Sequence, residues 1–378
     1  MVSSRYTNIA PEIADRIRKA WKPPTGKPVR EVHTSDRLLH KRCELKHSWQ
    51  SPLHGWLEPN SEVETTPLFI GNGGHFSLED YHGHNVFDGP ENAWIAYQQA
   101  FDAEVLPMEI DEISEMMVKH FNHYTNVWLP ARYEYQTVWL DGKPLVEMTN
   151  HYPLRRGVVY STTFDRVVVD PHTGLIYIVD YKFVAKRDTE KLDTDPQITA
   201  YSIMGYMMFG DAFGGVLYQQ HHKGYPSDVR YLKNGDISTD KSQNVTYAAY
   251  RAAVIEKFGS NIPDKYVDTL NAFAENETPD GDKFIVRTLV TRTQEYCLTA
   301  WEDILAEYPK MLKVAVRPLP NHTRDCAWDC SFRTACIMRM EGENYEVVLQ
   351  GNFKRRDQLN AWRDRIDWKR SIFSDVDR

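Results

Sequence analysis

The residues best placed to do chemistry sit inside an apolar run. In GLIYIVDYKF (Gly174–Phe183), Asp180 and Lys182 put a carboxylate and an ammonium into a stretch with the length and composition of a core strand. Ionised groups there are costly unless paired or bound to a metal. Side chains alternate along a strand, so Asp180 and Lys182 share a face while Tyr181 takes the other. A satisfied ion pair at a strand end is one reading and half of a reaction centre is the other. The preceding TTFDRVVVD reads as a second strand, and DPHTG between them as a Pro-containing turn closed by Gly174. Laid antiparallel with Asp170 facing Leu175, the two strands bring Asp165 opposite Asp180. Like charges that close raise one carboxyl pKa unless a cation separates them. A divalent ion that takes oxygen ligands, Mg²⁺ or Mn²⁺, resolves the conflict. Lys182 then lies beside it, able to orient or deprotonate a water or to steady developing negative charge. Downstream, PQITAY sets Gln197 and Tyr201 at i and i+4, on one face of a helix.

Two further sets could bind metal. Cys326, Cys330 and Cys336 form CAWDCSFRTAC, and Cys43 lies far upstream in LLHKRCELKHSW; Cys297, on a helical segment, reads as an ordinary buried cysteine. Three clustered cysteines in a cysteine-poor chain point to a metal or iron–sulfur site, and the C-x3-C spacing fits a zinc finger poorly. His75 stands in GNGGHFSLEDY with the spacing G-x3-H-x3-E from Gly71 to Glu79. His221 and His222 are neighbours on a strand, face opposite sides, and are left unassigned.

FDRVVVDPHTGLIYIVDYK followed by QITAY resembles the core of the PD-(D/E)XK nucleases, specifically the RecB-like branch with AddB and the CRISPR-associated exonucleases. That resemblance implies a restriction-endonuclease-like α/β fold, a mixed β-sheet core flanked by helices. It also implies metal ligation by His75, Asp165, Asp180 and the backbone carbonyl of Tyr181, with Lys182 as the catalytic lysine and Gln197 and Tyr201 facing DNA. Glu147, in LVEMTNHY, falls where many relatives carry a strand glutamate and receives no ligand role. In iron–sulfur members one cysteine precedes the core and three follow it, typically as C-x2-C-x5-C. Cys43, Cys326, Cys330 and Cys336 match that order, except that the first gap is three residues, and the resemblance implies a 4Fe–4S cluster. Such a cluster would staple helical N- and C-terminal regions together.

The elements that must position these groups follow from pattern. Helices are expected at 8–22, from near Ser35, from IGNGGHF onward, at 101–123, after Asp195 as N-cap, at 244–258, at 290–313 and at 353–372. Strands are expected at Asn126–Leu140, Pro144–Thr149, in the two segments around the DPHTG turn, and in GGVLYQQHHKG. The expected organisation is one integrated domain: a basic region at 1–60, a nuclease core at 61–320 and a cysteine-bearing region at 321–378. Net charge is −8, yet Arg16–Lys46 is rich in Lys and Arg, so a local basic surface including Arg37, Lys41 and Arg42 is the expected DNA contact. No apolar run reaches the roughly 20 residues of a membrane span, and the N-terminus has no signal-like apolar core. With few cysteines, this points to a reducing cytoplasm. No nucleotide-binding P-loop is present, so a helicase or recombination motor would be a separate partner. The expected activity is that of an Mg²⁺/Mn²⁺-dependent DNA exonuclease in end processing, recombination or repair. The rivals are an inactive DNA-binding module and a zinc-clipped endonuclease.

Overall fold

The computed structural model describes residues 6–20, 30–60, 65–101, 106–132, 135–187, 189–277, 280–313 and 317–356. Helix α1 (Pro11–Ala20) and strand β1 (Arg30–Val32) precede α2 (Thr34–Arg42) and α3 (Glu44–Gln50). The single helix expected from Ser35 is thus two, because Cys43 is extended (φ −166°) and its Sγ accepts the Lys46 N–H at 3.4 Å, capping α3. After β2 (Leu57–Pro59), α4 (Thr66–His82) starts earlier than expected. Its TPLF segment, expected as a turn, forms the first helical turn, where a proline loses no hydrogen bond. Helix α5 (Pro90–Gln98) was not foreseen, and the acidic helix is the shorter α6 (Ile110–His123).

The strand expected over Asn126–Leu140 is a correction. Tyr124–Trp128 form a π-helical turn continuing α6, with Tyr124 and Trp128 both buried and their rings stacked. Aromatic density there reflects helical packing, not alternation. Only β3 (Gln136–Thr137) and β4 (Trp139–Leu140), which pairs with β5 (Lys143–Pro144), remain of it. Then follow β6 (Val146–Arg155), β7 (Val158–Val169), β8 (Ile176–Val184), α7 (Pro196–Phe209) and β9 (Phe213–His222), close to expectation. An insertion with α8 (Tyr247–Phe258) and α9 (Asp264–Ala274) has its own small core around Tyr250, Tyr266 and Phe273. The chain continues through β10 (Ile285–Val290), α10 (Gln294–Met311), α11 (Arg333–Glu341), α12 (Glu346–Asn352) and β11 (Phe353–Arg355). Residues 353–355, expected as the start of a charged helix, instead pair with β2; residues 357–372 of that expected helix lie outside the described residues.

The main sheet has seven strands in the order β1-β7-β8-β9-β10, with β3 and β6 also on β7. It is mixed: β7 and β8 form the expected antiparallel hairpin, β8-α7-β9 is a parallel crossover, and β1 runs parallel to β7. Two apolar layers sandwich it. One packs Ile17, Ile203, Met204 and Ile304 from α1, α7 and α10; the other packs Phe69, Trp94 and Phe121 from α4, α5 and α6. Valines and isoleucines fill β7 and β8 because both faces are covered. No described helix is long and apolar enough to cross a membrane.

Candidate active site

The hairpin turn sets the register on which the site depends. Asp170 Oδ1 accepts the N–H groups of His172 and Thr173, and Gly174 closes the turn at φ +73°, a conformation that favours glycine. The ladder pairs Val169 with Ile176 and Arg166 with Val179, so its next step sets Asp165 against Asp180. There the strands part: the Tyr181 N–H goes to Asp165 Oδ2 at 2.7 Å. On the other side, β6 pairs Val146 with Arg166 and Met148 with Phe164, which puts Glu147 level with Asp165. Three carboxylates therefore stand in a row across β6, β7 and β8.

His75 arrives from α4. Gly73 and Gly74 before it let the helix lie flat, since a Cβ at Gly73 would strike Trp94 and Tyr97 and one at Gly74 would strike the ring of Phe183 on β8. His75 Nδ1 is 3.5 Å from Asp165 Oδ2 and 3.9 Å from Glu147 Oε1. Ligand atoms of His75, Glu147 and Asp165 all lie within 4.8 Å of one another, as a single ion would require. Glu147 holds φ +46°, a left-handed conformation that costs a non-glycine residue about 1–3 kcal/mol and is found where a site requires it. Sequence reasoning gave Glu147 no such place. Laying LVEMTNHY on β7 as well as β8 would have found it.

Asp180 sits beside this trio rather than within it. It is fully buried; Oδ1 accepts from Lys182 Nζ at 2.7 Å, and Oδ2 has no hydrogen-bond partner among the described residues. Burial, reinforced by the Asp165 charge, pushes its pKa up to about 6 against the pull of Lys182. Burial works against the Lys182 ammonium too, but Asp180 and Asp165 outweigh it and leave that pKa at about 12. The donor set is all oxygen plus one imidazole, with an orphaned buried carboxylate oxygen beside it. These residues fit a hard divalent cation.

Gln197 and Tyr201 do lie together near the acids. Asp195 caps α7 as expected, accepting from the N–H groups of Gln197 and Ile198. The Gln197 amide donates to the Tyr201 hydroxyl at 2.8 Å, and that hydroxyl donates to the Thr163 carbonyl at 2.7 Å. Tyr201 thus fixes β7 two residues before Asp165. Its pKa is driven well above the ordinary value by burial and by Asp165 and Asp180, so it stays a donor. Both side chains border a cavity of about 280 Å³ that also touches His33, Ser35 and Leu38.

Arg37, Lys41 and Arg42 each pair with a carboxylate. Arg37 and Lys41 both bind Glu307, at 2.8 and 2.6 Å, and Arg42 binds Asp329 at 2.8 Å and approaches Asp325 at 3.7 Å. These pairs tie α2 to α10 and to the cysteine segment. Cys43, Cys326, Cys330 and Cys336 do line one cavity, of about 210 Å³. Burial, then the other three thiols, raises the Cys336 pKa. Their thiols are not drawn into a single-ion site: among the described residues, His75, Glu147 and Asp165 are the only such trio within 4.8 Å. Cys297 is buried in α10, as expected, and burial pushes its thiol up to about 11. His221 and His222 do point apart: His221 is hydrogen-bonded to His120 and Gln219 inside the core.

Comparison with known families matches residues 39–337 to the PD-(D/E)XK nuclease superfamily. Among curated proteins nothing matches.

Proposed function

This chain belongs to the PD-(D/E)XK nuclease superfamily, and on that footing we propose that it is a metal-dependent deoxyribonuclease, an exonuclease acting at DNA ends in end processing, recombination or repair. The observation that carries the reading is the row Glu147–Asp165–Asp180 capped by His75, with Lys182 beside the unpartnered Asp180 oxygen. His75, Glu147, Asp165 and Asp180, with the Tyr181 carbonyl, are the groups that would hold Mg²⁺ or Mn²⁺. When bound, such an ion supplies Lewis-acid polarisation of a phosphoryl oxygen and makes water more acidic. Lys182, protonated at rest, donates hydrogen bonds and positive charge where negative charge grows on the scissile phosphate. Gln197 and Tyr201 keep β7, and with it Asp165, in place beside the strand-binding cavity.

The RecB-like assignment extends to a 4Fe–4S cluster on Cys43, Cys326, Cys330 and Cys336. The support is that all four line one cavity between the N- and C-terminal regions, and a cubane cluster separates its sulfurs more widely than one ion does.

End-labelled linear DNA should be degraded with Mg²⁺ or Mn²⁺ while covalently closed circles survive. Cutting of circles would favour an endonuclease, and intact linear DNA under both ions would leave only a binding module. Calorimetry should show Mn²⁺ bound at least tenfold more weakly by Glu147→Gln. Anaerobically purified protein should be coloured and carry iron; zinc in its place would favour the zinc-clipped reading.

A further inference from the structure

We propose that Arg187, His222, Lys223 and Lys283 form a phosphate-binding subsite that grips the polynucleotide backbone next to the reacting face. The inference rests on the nuclease reading and specifies which surface holds the substrate. The four come from three places in the sequence and meet at one end of the sheet. β8 and β9 run parallel, and β10 returns antiparallel with Ile285 opposite His221. The carboxyl ends of β8 and β9 and the start of β10 therefore lie together, the edge at which open α/β sheets bind ligands. Arg187 follows the end of β8, His222 ends β9 with Lys223 next, and Lys283 precedes β10. Lys182 pairs with Gln220 and Val184 with His222, so His222 lies on the Lys182 face two residues further on, about 7 Å along the strand.

Arg187 and Lys283 are held by carbonyl oxygens, which orient them without cancelling their charge. Arg187 donates to the carbonyls of Asn276 (3.4 Å) and Asp282, and Lys283 Nζ donates to that of Gln243 at 2.9 Å. The nearby carboxylate is already committed: Asp282 takes His123 Nε2 at 2.6 Å and the N–H groups of Phe284 and Ile285. Among the described residues, no carboxylate lies within 4.0 Å of Arg187, Lys223 or Lys283, whereas Arg37, Lys41 and Arg42 are all paired. The group is self-repelling. Burial and then Arg187 lower the Lys283 pKa, and burial, Arg187 and Lys283 together hold His222 below its ordinary range. A partly desolvated patch in which Arg187, Lys223 and Lys283 face no carboxylate among the described residues, and His222 offers an uncharged ring, is matched by a line of phosphates. Three of its members are tied to the insertion between β9 and β10 or to the turn that leaves it. That insertion thereby acquires a role in aiming the patch.

The test is the double substitution Arg187→Gln, Lys283→Gln in the full chain, with its melting curve checked against wild type. Binding of a single-stranded oligonucleotide is measured across salt concentration. The slope of log K against log salt should fall by roughly 1.4, about 0.7 for each lost phosphate contact. KM for DNA should rise tenfold or more with kcat little changed, and hydrolysis of bis-(p-nitrophenyl) phosphate, which has no polymer backbone, should be unaffected. If wild type cleaves DNA and the double variant keeps both slope and KM, the subsite is refuted while the nuclease reading stands. If wild type neither binds nor cleaves nucleic acid, the nuclease reading fails and this inference falls with it.

Discussion

Lys182 shows how a single charge is tuned by its surroundings. Its ammonium touches a fully buried carboxylate, and Asp180 and Asp165 outweigh burial to hold its pKa at about 12. Lys182→Gln retains an N–H able to reach Asp180 while removing the positive charge. Cleavage of labelled DNA should fall by about a hundredfold or more, the scale of losing one transition-state donor. The circular dichroism spectrum should be unchanged. Activity within threefold of wild type would show that the charge is not used. The same residue-scale logic separates Asp165 from Asp180. The first already accepts the Tyr181 N–H and faces His75, whereas the second has an oxygen with no hydrogen-bond partner among the described residues.

At the scale of the element, glycines decide where His75 sits. Gly74 faces the Phe183 ring across the α4–β8 contact, while a Cβ on Gly71 would meet nothing within 4 Å. Gly74→Ala should therefore destabilise by about 1–3 kcal/mol through overpacking and lower activity by shifting His75. Gly71→Ala should stabilise by up to about 1 kcal/mol from helix propensity alone. Urea denaturation and cleavage rates on the two variants check both. Packing of α6 against β9 carries a pH signature as well. His120 bridges the Gly224 carbonyl and His221, and burial lowers its pKa to about 4 from an ordinary 6.5. A depressed folded-state value means the fold prefers the neutral ring. Stability is complete above pH 6.5 and is lost as pH falls from there toward 4. In His120→Gln, urea midpoints should vary less steeply across that window, and an unchanged slope would place the acid sensitivity elsewhere.

For the whole molecule, residues 42–59 and 319–355, far apart in sequence, form one unit. β2 pairs with β11, the Leu45 N–H bonds to the Leu319 carbonyl, the Asn321 amide bonds to the Arg42 carbonyl, and Phe332 stacks on Phe353. The four cysteines lie inside that junction, so the proposed cluster would close a loop spanning most of the chain, worth roughly 5 kcal/mol in loop entropy. Cys43→Ser should lose iron and visible absorbance and melt at least several degrees lower under anaerobic conditions. Cys297→Ser should keep full iron content, since that thiol packs in α10 away from the junction. Equal iron loss in both variants would remove the assignment.

What the sequence determined by itself was whatever depends on neighbours along the chain. The Asp170 turn and Gly174 set the hairpin register, strand alternation put Asp180 and Lys182 together, and Asp195 announced α7. Charge counting along the chain marked Arg37, Lys41 and Arg42 as a nucleic-acid surface, while the carboxylates set against them, Glu307 and Asp329, come from distant parts of the chain. Aromatic richness likewise suggested a strand where Tyr124 and Trp128 stack in a π-helical turn. Only the tertiary structure brought Glu147 level with Asp165 and gathered Arg187, His222, Lys223 and Lys283 at one edge. The reason is physical. Local pattern encodes backbone conformation, whereas the net charge a group presents depends on which distant partners the fold sets against it.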